Sequence, residues 1–118
     1  MLRCKNGLKY LGDWINDKIE GYGIAYYKNG DFYIGEWKNG LRNGKGIIYY
    51  KNGNIKYEGD FINGKYQGNG KYIYENGDYY IGEFKNGLKH GKGIDYYKNG
   101  NIQNEADFIN YLPQCITF

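Results

Sequence analysis

The chain has 118 residues, a net charge of +3, 20 glycines and 16 tyrosines, and it contains no valine. Basic and acidic residues are mixed along its whole length, which argues against a nucleic-acid-binding protein, since such proteins concentrate Lys and Arg on one surface. Leucine is sparse, whereas tyrosine, with a large ring and a polar tip, suits the half-exposed face of a sheet. The bias towards Asn, Lys, Ile and Tyr is typical of AT-rich coding sequences and indicates a protist source.

A repeated unit organises the sequence. Its copies begin at five aligned positions: Tyr10, Tyr33, Tyr57, Tyr80 and Asn104. Successive starts are 23, 24, 23 and 24 residues apart, and residues 10–56 align without gaps on residues 57–103 with 31 identities in 47 positions. A fixed period of this length predicts a repeat architecture, in which the larger unit is a pair of repeats.

The repeats divide the chain into three parts. We predict a partial N-terminal repeat over residues 1–9, consisting of a strand and a turn, and a degenerate fifth repeat with a C-terminal tail over residues 104–118. The tail contains the only proline, Pro113, and its conformation is left open. The four full repeats occupy residues 10–32, 33–56, 57–79 and 80–103.

Each full repeat is predicted to form two short strands. In the second repeat these are Tyr33–Trp37 and Lys45–Tyr50, which are rich in aromatic and β-branched residues and are bounded by turn residues. A polar loop, Lys38–Gly44, is predicted between them. Asn-Gly pairs between repeats, such as Asn29-Gly30, favour tight hairpin turns because they tolerate positive φ angles. We expect a two-residue turn in the 23-residue spacing and a three-residue turn with a bulge in the 24-residue spacing.

These turns predict the strand register. Tyr26 should lie opposite Tyr33, with Ile24 opposite Gly35, and in the longer spacing Tyr49 should lie opposite Tyr57. Side chains alternate along a strand, so the tyrosine, the glycine and the Trp or Phe of each copy share one face, where the glycines leave room for neighbouring rings. The predicted ladder, a candidate for packing first and for partner contacts second, comprises Tyr10, Trp14, Tyr33, Trp37, Tyr57, Phe61, Tyr80 and Phe84.

The sequence contains no pattern that supports catalysis or metal binding. The G-x-G triplets, such as Gly44-Lys45-Gly46, are assigned to strand packing, because a phosphate-binding loop needs a helix N-terminus behind it and no helical periodicity follows them. His90 has no Cys or His partner at metal-ligand spacing and is expected to be a solvated loop residue. Serine is absent, which excludes a serine nucleophile. We predict that the chain is not an enzyme and has no cofactor or metal.

One acidic residue recurs at the same strand position in each copy. Glu36, Glu83, Asp13 and Asp60 lie about two strands, or ~10 Å, from one another. A paired-carboxylate site needs two acids within roughly 5 to 10 Å. We therefore expect these acids to pair with lysines across neighbouring strands.

The repeated pattern Y-x-G-[ED]-[WF]-x-N-G-x-x-x-G-x-G, followed by Y and N-G, resembles the MORN (membrane occupation and recognition nexus) repeat. The resemblance covers residues 10–103. It implies an all-β fold, an elongated, twisted, single-layer antiparallel β-meander of tandem hairpins. It also implies a scaffold or interaction module of the kind found in cytoskeletal and ciliary assemblies, at membrane contact sites or attached to enzymes. Some members of the family form homodimers, and phospholipid binding has been proposed for the family.

We predict a non-catalytic protein-interaction scaffold, a small subunit of a larger intracellular assembly of cytoskeletal or ciliary type. Its partners are other proteins, in a hetero-assembly or as a homodimer, and not nucleic acid. The alternative is a membrane-surface module for anionic phospholipids, in which each well-placed cation contributes about 1 kcal/mol. The candidate lipid contacts are Lys38, Arg42, Lys85 and Lys89. A third reading, a targeting segment of a larger enzyme, is disfavoured by the degenerate fifth repeat and the tail.

The start of the chain lacks the apolar core of a signal peptide, and no apolar run approaches the ~20 residues that span a bilayer, so an intracellular, cytoplasmic location is expected. Cys4 and Cys115 lie at opposite ends of the chain. In a linear stack of about ten strands they would be roughly 40 Å apart, whereas a disulfide needs Cα atoms within ~7 Å. Both thiols are therefore expected to be free.

Overall fold

The computed structural model describes residues 2–5, 7–109 and 112–115. They form eleven strands: β1 Leu2–Lys5, β2 Leu8–Ile15, β3 Lys18–Tyr26, β4 Phe32–Lys38, β5 Leu41–Tyr49, β6 Ile55–Ile62, β7 Lys65–Ile73, β8 Tyr79–Lys85, β9 Leu88–Tyr96, β10 Ile102–Ile109 and β11 Leu112–Cys115. All belong to one antiparallel sheet, in which each strand pairs with its neighbours in sequence. The sheet is 52 Å long, which confirms the predicted elongated, single-layer β-meander. No described segment forms a helix that could cross a membrane.

Within a repeat, a two-residue turn joins the two strands. Asn39 and Gly40 have φ angles of 52° and 78°, and Lys38 pairs with Leu41 directly across the turn. Positive φ at both central residues is the signature of the type I′ turn, whose twist matches that of the flanking strands. The polar loop predicted over Lys38–Gly44 was therefore wrong, because β5 already begins at Leu41.

Between repeats, the connection is a three-residue turn. The Tyr27 N–H donates to the Asp31 carbonyl at 2.9 Å, and the Gly30 N–H donates to the Tyr27 carbonyl at 3.0 Å. Gly30 has a φ of 95°, which is the left-handed position that closes a three-residue hairpin loop. The turn therefore comprises Lys28, Asn29 and Gly30, and the two-residue turn predicted for this spacing was wrong.

The additional turn residue moves the register of β3 against β4 by one position. Ala25 lies opposite Tyr33, where Tyr26 was predicted. A slip of one residue transfers every side chain of a strand to the other face. The face that carries Tyr33 therefore also carries Ala25 and Gly23, whereas Ile24 and Tyr26 lie on the opposite face, so Ile24 does not stand opposite the strand glycine as predicted.

The longer spacing uses the same three-residue turn and places its extra residue in the following strand. Ile48 pairs with Tyr57, and Tyr49 pairs with Ile55, which leaves Lys56 as the bulged residue. This shift in pairing confirms the predicted bulge. A bulge inserts one residue in one strand without changing the pairing beyond it. The predicted pair of Tyr49 with Tyr57 was wrong by one residue, since the bulge lies in β6 and not in the turn.

The G-x-G triplet forms a second bulge within each repeat. In the second repeat, Gly44 has a φ of 98°, and the pairing of β4 with β5 shifts between Gly35 and Trp37. The Glu36 carboxylate accepts the backbone N–H of Lys45 at 2.6 Å, which satisfies an amide within the bulge. The triplet therefore belongs to the sheet, as predicted.

Aspartates that follow the inter-repeat Asn-Gly connect one turn to the next. Asp31 is buried, and its carboxylate accepts the Lys51 backbone N–H at 3.1 Å and the Lys56 ammonium at 3.3 Å. Asp78 accepts the Lys98 N–H at 3.0 Å in the same way. These bonds fix the spacing of successive turns, and charge-assisted hydrogen bonds of this kind are stronger than neutral ones.

The C-terminal part continues the sheet. Ala106 and Phe108 of the fifth repeat are buried, and the tail adds β11, in which Pro113 pairs with Phe108. A proline is tolerated there because β11 pairs only with β10 in the described sheet, so it needs few N–H donors. Cys4 is free and exposed, whereas the side chain of Cys115 lies outside the described residues.

The core lies on one face of the sheet and is built from rings laid over glycines. Tyr33 is fully buried. A Cβ on Gly35 would be 2.5 Å from the Tyr33 hydroxyl oxygen, and a Cβ on Gly46 would overlap the Tyr33 ring itself. Tyr57 and Tyr80 repeat this arrangement over the glycines of the following copies. The glycines are therefore required by the close approach of the rings.

We expect Gly46→Ala to destabilise the fold by about 1–3 kcal/mol, the usual cost of overpacking. The added methyl group would occupy the space of the Tyr33 ring. Urea unfolding followed by tryptophan fluorescence measures the effect. In a Tyr33→Leu background the ring is absent, so the same glycine substitution should cost less. An equal cost in both backgrounds would contradict this account of the glycine.

Candidate interaction surfaces

The predicted ladder lies on one face of the sheet, which we call the aromatic face. Most of its side chains are covered by their neighbours within the chain, and those nearest the N-terminal end are half-buried. The buried members are Tyr33, Trp37, Tyr57, Phe61, Tyr80 and Phe84, and the half-buried members are Tyr10 and Trp14. The ladder is thus primarily a packing element, and its second role, contact with a partner, stays a prediction.

Each ladder tyrosine contacts the ladder Trp or Phe ring of its own repeat and the equivalent ring of the next repeat. The Tyr33 ring centroid is 5.1 Å from those of both Trp37 and Phe61. The Tyr57 centroid is 5.1 Å from Phe61 and 5.4 Å from Phe84. All four contacts are edge-to-face, a geometry that contributes about 0.5–1.5 kcal/mol per pair beyond area burial. The rings therefore connect successive repeats in a continuous zigzag.

Phe108 extends this zigzag into the fifth repeat and was not among the predicted ladder residues. Its ring centroid is 5.7 Å from that of Tyr80, again edge-to-face. The signal in the sequence is its spacing, because Phe108 follows Asn104 as the Trp or Phe follows the tyrosine in the other copies. Asn104 and Ala106 replace the tyrosine and the glycine of this copy, so the predicted ladder was limited to the four full repeats.

The hydroxyl groups of the buried ladder tyrosines are satisfied within the sheet. Each donates to the backbone carbonyl three residues later in its own strand. The pairs are Tyr33 with Glu36 at 2.8 Å, Tyr57 with Asp60 at 2.9 Å, and Tyr80 with Glu83 at 3.0 Å. Burial raises the pKa of all three tyrosines, that of Tyr80 to about 12, because a buried phenolate is poorly solvated.

The titration of Tyr80 predicts a loss of stability at alkaline pH. Its pKa is ~10 in the unfolded chain and about 12 in the folded protein. Between these values only the folded protein retains the proton, so the stabilisation is complete below pH 10 and falls as the pH rises towards 12. Tyr80→Phe removes one of these buried titrating groups and should reduce the decline in melting temperature over this pH range, measured by circular dichroism. Tyr79→Phe, on the other face, is the matched control, and equal flattening in both variants would contradict the prediction.

The four candidate lipid contacts do not share one surface. Lys38 and Lys85 are exposed and alternate with ladder residues, so they lie on the face opposite the ladder. Arg42 and Lys89 lie on the aromatic face. The Arg42 guanidinium is 5.0 Å from the centroid of the Phe61 ring, a cation–π distance, and it also donates to the Gly64 carbonyl.

Lys89 is bound into the aromatic face in a similar way. Its ammonium lies 4.7 Å from the Tyr80 ring centroid and donates to Asp95 at 3.1 Å, with both side chains largely covered. Burial alone would lower the pKa of Lys89, but contacts with Tyr74 and Asp95 outweigh it and raise the pKa. A substitution of Lys89 would therefore disturb the packing, so a lipid test needs the two exposed lysines.

The recurring acids have two kinds of partner. Asp60 forms an ion pair with Lys45 on the neighbouring strand at 3.1 Å, which confirms cross-strand pairing at this position. Glu36 and Glu83 instead accept the backbone N–H of Lys45 and of Lys92 at the bulges. A longer glutamate side chain reaches the bulge amide, and this use of the carboxylate was not predicted.

His90 lies in β9 and is half-buried, so the prediction of a solvated loop residue was wrong. The two-residue turn at residues 86–87 starts β9 at Leu88 and pairs His90 with Glu83. The Nδ1 atom of His90 is buried without a hydrogen-bond partner among the described residues. Within the part of the chain that the structure describes, no three His, Cys, Asp or Glu side chains are grouped as a metal site would require.

The opposite face, which we call the open face, carries Lys38 and Lys85 next to the turns within the repeats and, beyond them, three rows of side chains that run across the strands. The turn-side row, next to the inter-repeat turns, is apolar and aromatic: Tyr26, Phe32, Tyr49, Ile55, Ile73, Tyr79, Tyr96 and Ile102. The middle row is Leu11, Ile24, Ile34, Ile47, Glu58, Lys71, Ile81, Ile94 and Glu105. The charged row is Tyr22, Glu36, Lys45, Asp60, Asn69, Glu83, Lys92 and Asp107.

The open face is only partly covered by its own side chains. Neighbouring rings of the turn-side row stack, with centroids 4.8 Å apart for Phe32 and Tyr49 and 4.9 Å apart for Tyr79 and Tyr96. Ile81 is nevertheless 45% exposed. The open face thus presents apolar rows to solvent next to a row of charges, which is the composition of an interaction surface.

Comparisons with known proteins place the repeats in a family. The family model described as MORN repeat matches the chain four times, over residues 10–32, 33–55, 57–79 and 80–102. Each match begins at one of the four aligned tyrosines. A search of the curated proteins finds no match.

Proposed function

Because the chain belongs to the MORN-repeat family, whose repeats are generally non-enzymatic modules that contact proteins or membranes, we propose that it is a non-catalytic protein-interaction scaffold. The observation that carries the proposal is the contrast between the two faces. The aromatic face is filled by its own rings, whereas the open face presents apolar rows to solvent.

A sheet of one layer can bury only one face with its own side chains, and stable domains usually cover the second face with another layer. Ile34 and Ile47 on the open face are only half-buried, and Ile81 is exposed. Exposed apolar patches that are rimmed by polar residues usually mark protein contacts. The open face therefore supports a scaffold whose missing layer comes from a protein partner.

The proposed setting is a larger intracellular assembly of cytoskeletal or ciliary type. The elongated sheet suits this setting, because a 52 Å surface can hold a partner along its length. The identity of cross-linked partners, obtained in the experiment that follows, tests it directly. Cytoskeletal or ciliary proteins among the adducts would support the setting, and their absence would argue for another assembly.

Site-specific photo-cross-linking tests the scaffold. We expect p-benzoylphenylalanine in place of Ile34, in the middle row, to form covalent adducts with proteins in a native extract on irradiation. The same residue in place of Asn52, at an exposed inter-repeat turn, is the matched control and should give few adducts. Gel shifts and mass spectrometry identify the products. The absence of any protein adduct at Ile34, or the same adducts at both positions, would contradict the proposal.

The membrane-surface alternative makes a different prediction. Its two exposed candidate contacts, Lys38 and Lys85, are interspersed with acidic residues, so we expect no co-sedimentation with anionic phospholipid vesicles at low salt. If the chain does bind such vesicles, Lys38→Glu with Lys85→Glu should abolish binding, because each surface charge contributes about 1 kcal/mol to attraction by anionic lipid. Lys28→Glu with Lys98→Glu, at the inter-repeat turns, is the control for net charge. Binding that only the first pair abolishes would favour the alternative.

A further inference from the structure

The charged and apolar side chains in the middle row of the open face are arranged symmetrically about the boundary between β6 and β7. Glu58 and Lys71 lie on the two sides of this boundary as direct cross-strand partners. Ile47 follows on one side and Ile81 on the other. Opposite charges at the centre are therefore flanked by apolar residues in both directions.

We propose that the partner of the open face is a second copy of the chain, related by a two-fold axis that runs parallel to the strands between β6 and β7. This inference rests on the proposed scaffold function and names its partner. Such a contact is isologous, so every pairing occurs twice. The axis places β6 over β7 of the second copy, β5 over β8, and β4 over β9.

This arrangement gives complementary contacts in the middle row. Glu58 of one copy faces Lys71 of the other, and Ile47 faces Ile81. One strand further out on each side, Ile34 faces Ile94. The two charges at the centre are thus each paired with an opposite charge from the second copy, and the isoleucines bury one another.

The two outer rows are complementary under the same axis. In the turn-side row apolar side chains meet apolar side chains: Ile55 faces Ile73, Tyr49 faces Tyr79, and Phe32 faces Tyr96. In the charged row opposite charges meet: Lys45 faces Glu83, and Glu36 faces Lys92. Charge complementarity of this kind fixes the register of an interface and disfavours other partners.

The rows also select this axis over the other two-fold that could relate two stacked sheets. An axis perpendicular to the strands would exchange the turn-side row with the charged row. Charged groups such as Lys45 and Glu83 would then be buried against rings such as Tyr49 and Tyr79, and burial of an unpaired charge is costly. Only the axis parallel to the strands places apolar side chains against apolar side chains in the turn-side row and opposite charges against each other in the charged row.

Sheet twist limits the size of the contact. Stacked sheets pack with their mean strand directions about 30° apart, so the central strands of each copy lie within about 15° of the two-fold axis, and contact is confined to β4 to β9. Six strands at ~4.8 Å span about 29 Å, which places the interface near the small end of stable interfaces, about 1,200 Å² in total. We therefore expect a reversible dimer whose population depends on concentration.

Sedimentation velocity on charge variants tests the second copy as the partner. Glu58→Lys and Lys71→Glu each place like charges opposite one another at both symmetry-related contacts. Each variant alone should dimerise at least about tenfold more weakly than the unchanged chain. An equimolar mixture of the two should regain dimerisation, because every central contact in the mixed dimer pairs opposite charges.

The mixture separates contacts between copies from contacts within a chain. Each single variant also places like charges on neighbouring strands of its own sheet, and this effect persists in the mixture. Recovery on mixing therefore reports only the contact between copies. The double variant Glu58→Lys with Lys71→Glu restores the pairs both within and between chains and should dimerise like the unchanged chain. Glu75→Lys, at an exposed turn position, is the matched control and should not weaken the dimer.

An unchanged chain that remains monomeric at about 500 μM, or a mixture that does not recover, would overturn the inference. The cross-linking experiment distinguishes this failure from failure of the proposed function. If Ile34 is cross-linked to other proteins while the chain stays monomeric, the scaffold function is supported and the proposed dimer is contradicted. If Ile34 forms no protein adduct and the chain is monomeric, both the scaffold function and the dimer are contradicted.

Discussion

The close approach of a tyrosine ring to glycine backbone is the constraint on which the rest of the structure depends. Tyr33 can lie flat over Gly35 and Gly46 only because neither has a Cβ. The flat ring covers two strands at once and reaches back to the Glu36 carbonyl with its hydroxyl. In this way one side chain per repeat supplies apolar cover and a satisfied polar tip, and the sheet obtains a core without a second layer.

The same constraint explains why the two faces differ. Tyrosine rings over glycines, with Trp and Phe rings edge-to-face against them, fill the aromatic face, and the cations of Arg42 and Lys89 lie beside these rings. On the open face the glycines at the bulges lie under carboxylates, such as Gly44 under Glu36, so the apolar side chains of that face have no comparable glycine gap. The apolar side chains of the open face then have to be covered by another molecule or separated by charged residues. The Glu58 and Lys71 positions interrupt the middle row at its centre, which limits unspecific association through a long apolar surface.

The sequence was sufficient for the features that depend on local alternation. The two strands of each repeat and the shared face of Tyr33, Gly35 and Trp37 follow from residues within a single copy, and the structure has them as predicted. Register was not predictable in the same way, because it depends on turn length, and an Asn-Gly pair occurs in both kinds of turn. The residue after Gly30 is Asp31, which closes a three-residue turn, and this distinction is visible only once the hydrogen bonds are known.

The features of the aromatic face and the open face were likewise predictable from the sequence only in part. The ladder residues were recognisable by their spacing, but their burial was not, because it requires the positions of rings from neighbouring repeats. Arg42 and Lys89 resemble other surface cations in sequence, and their role beside the rings arises from contacts with residues of other strands. The rows of the open face were hidden for a further reason, since an error of one residue in the register exchanges the faces of whole strands.

The duplicated unit of 47 residues has a geometric meaning that sequence identity alone does not convey. It contains four strands, which correspond to about 19 Å along the sheet at ~4.8 Å per strand. Because bonds such as that from the Lys51 N–H to Asp31 join each turn only to the next, gain or loss of one duplicated unit would lengthen or shorten the protein by this fixed step while leaving every remaining contact intact. The length of the sheet can therefore change during evolution in steps of one duplicated unit, without substitutions in the core.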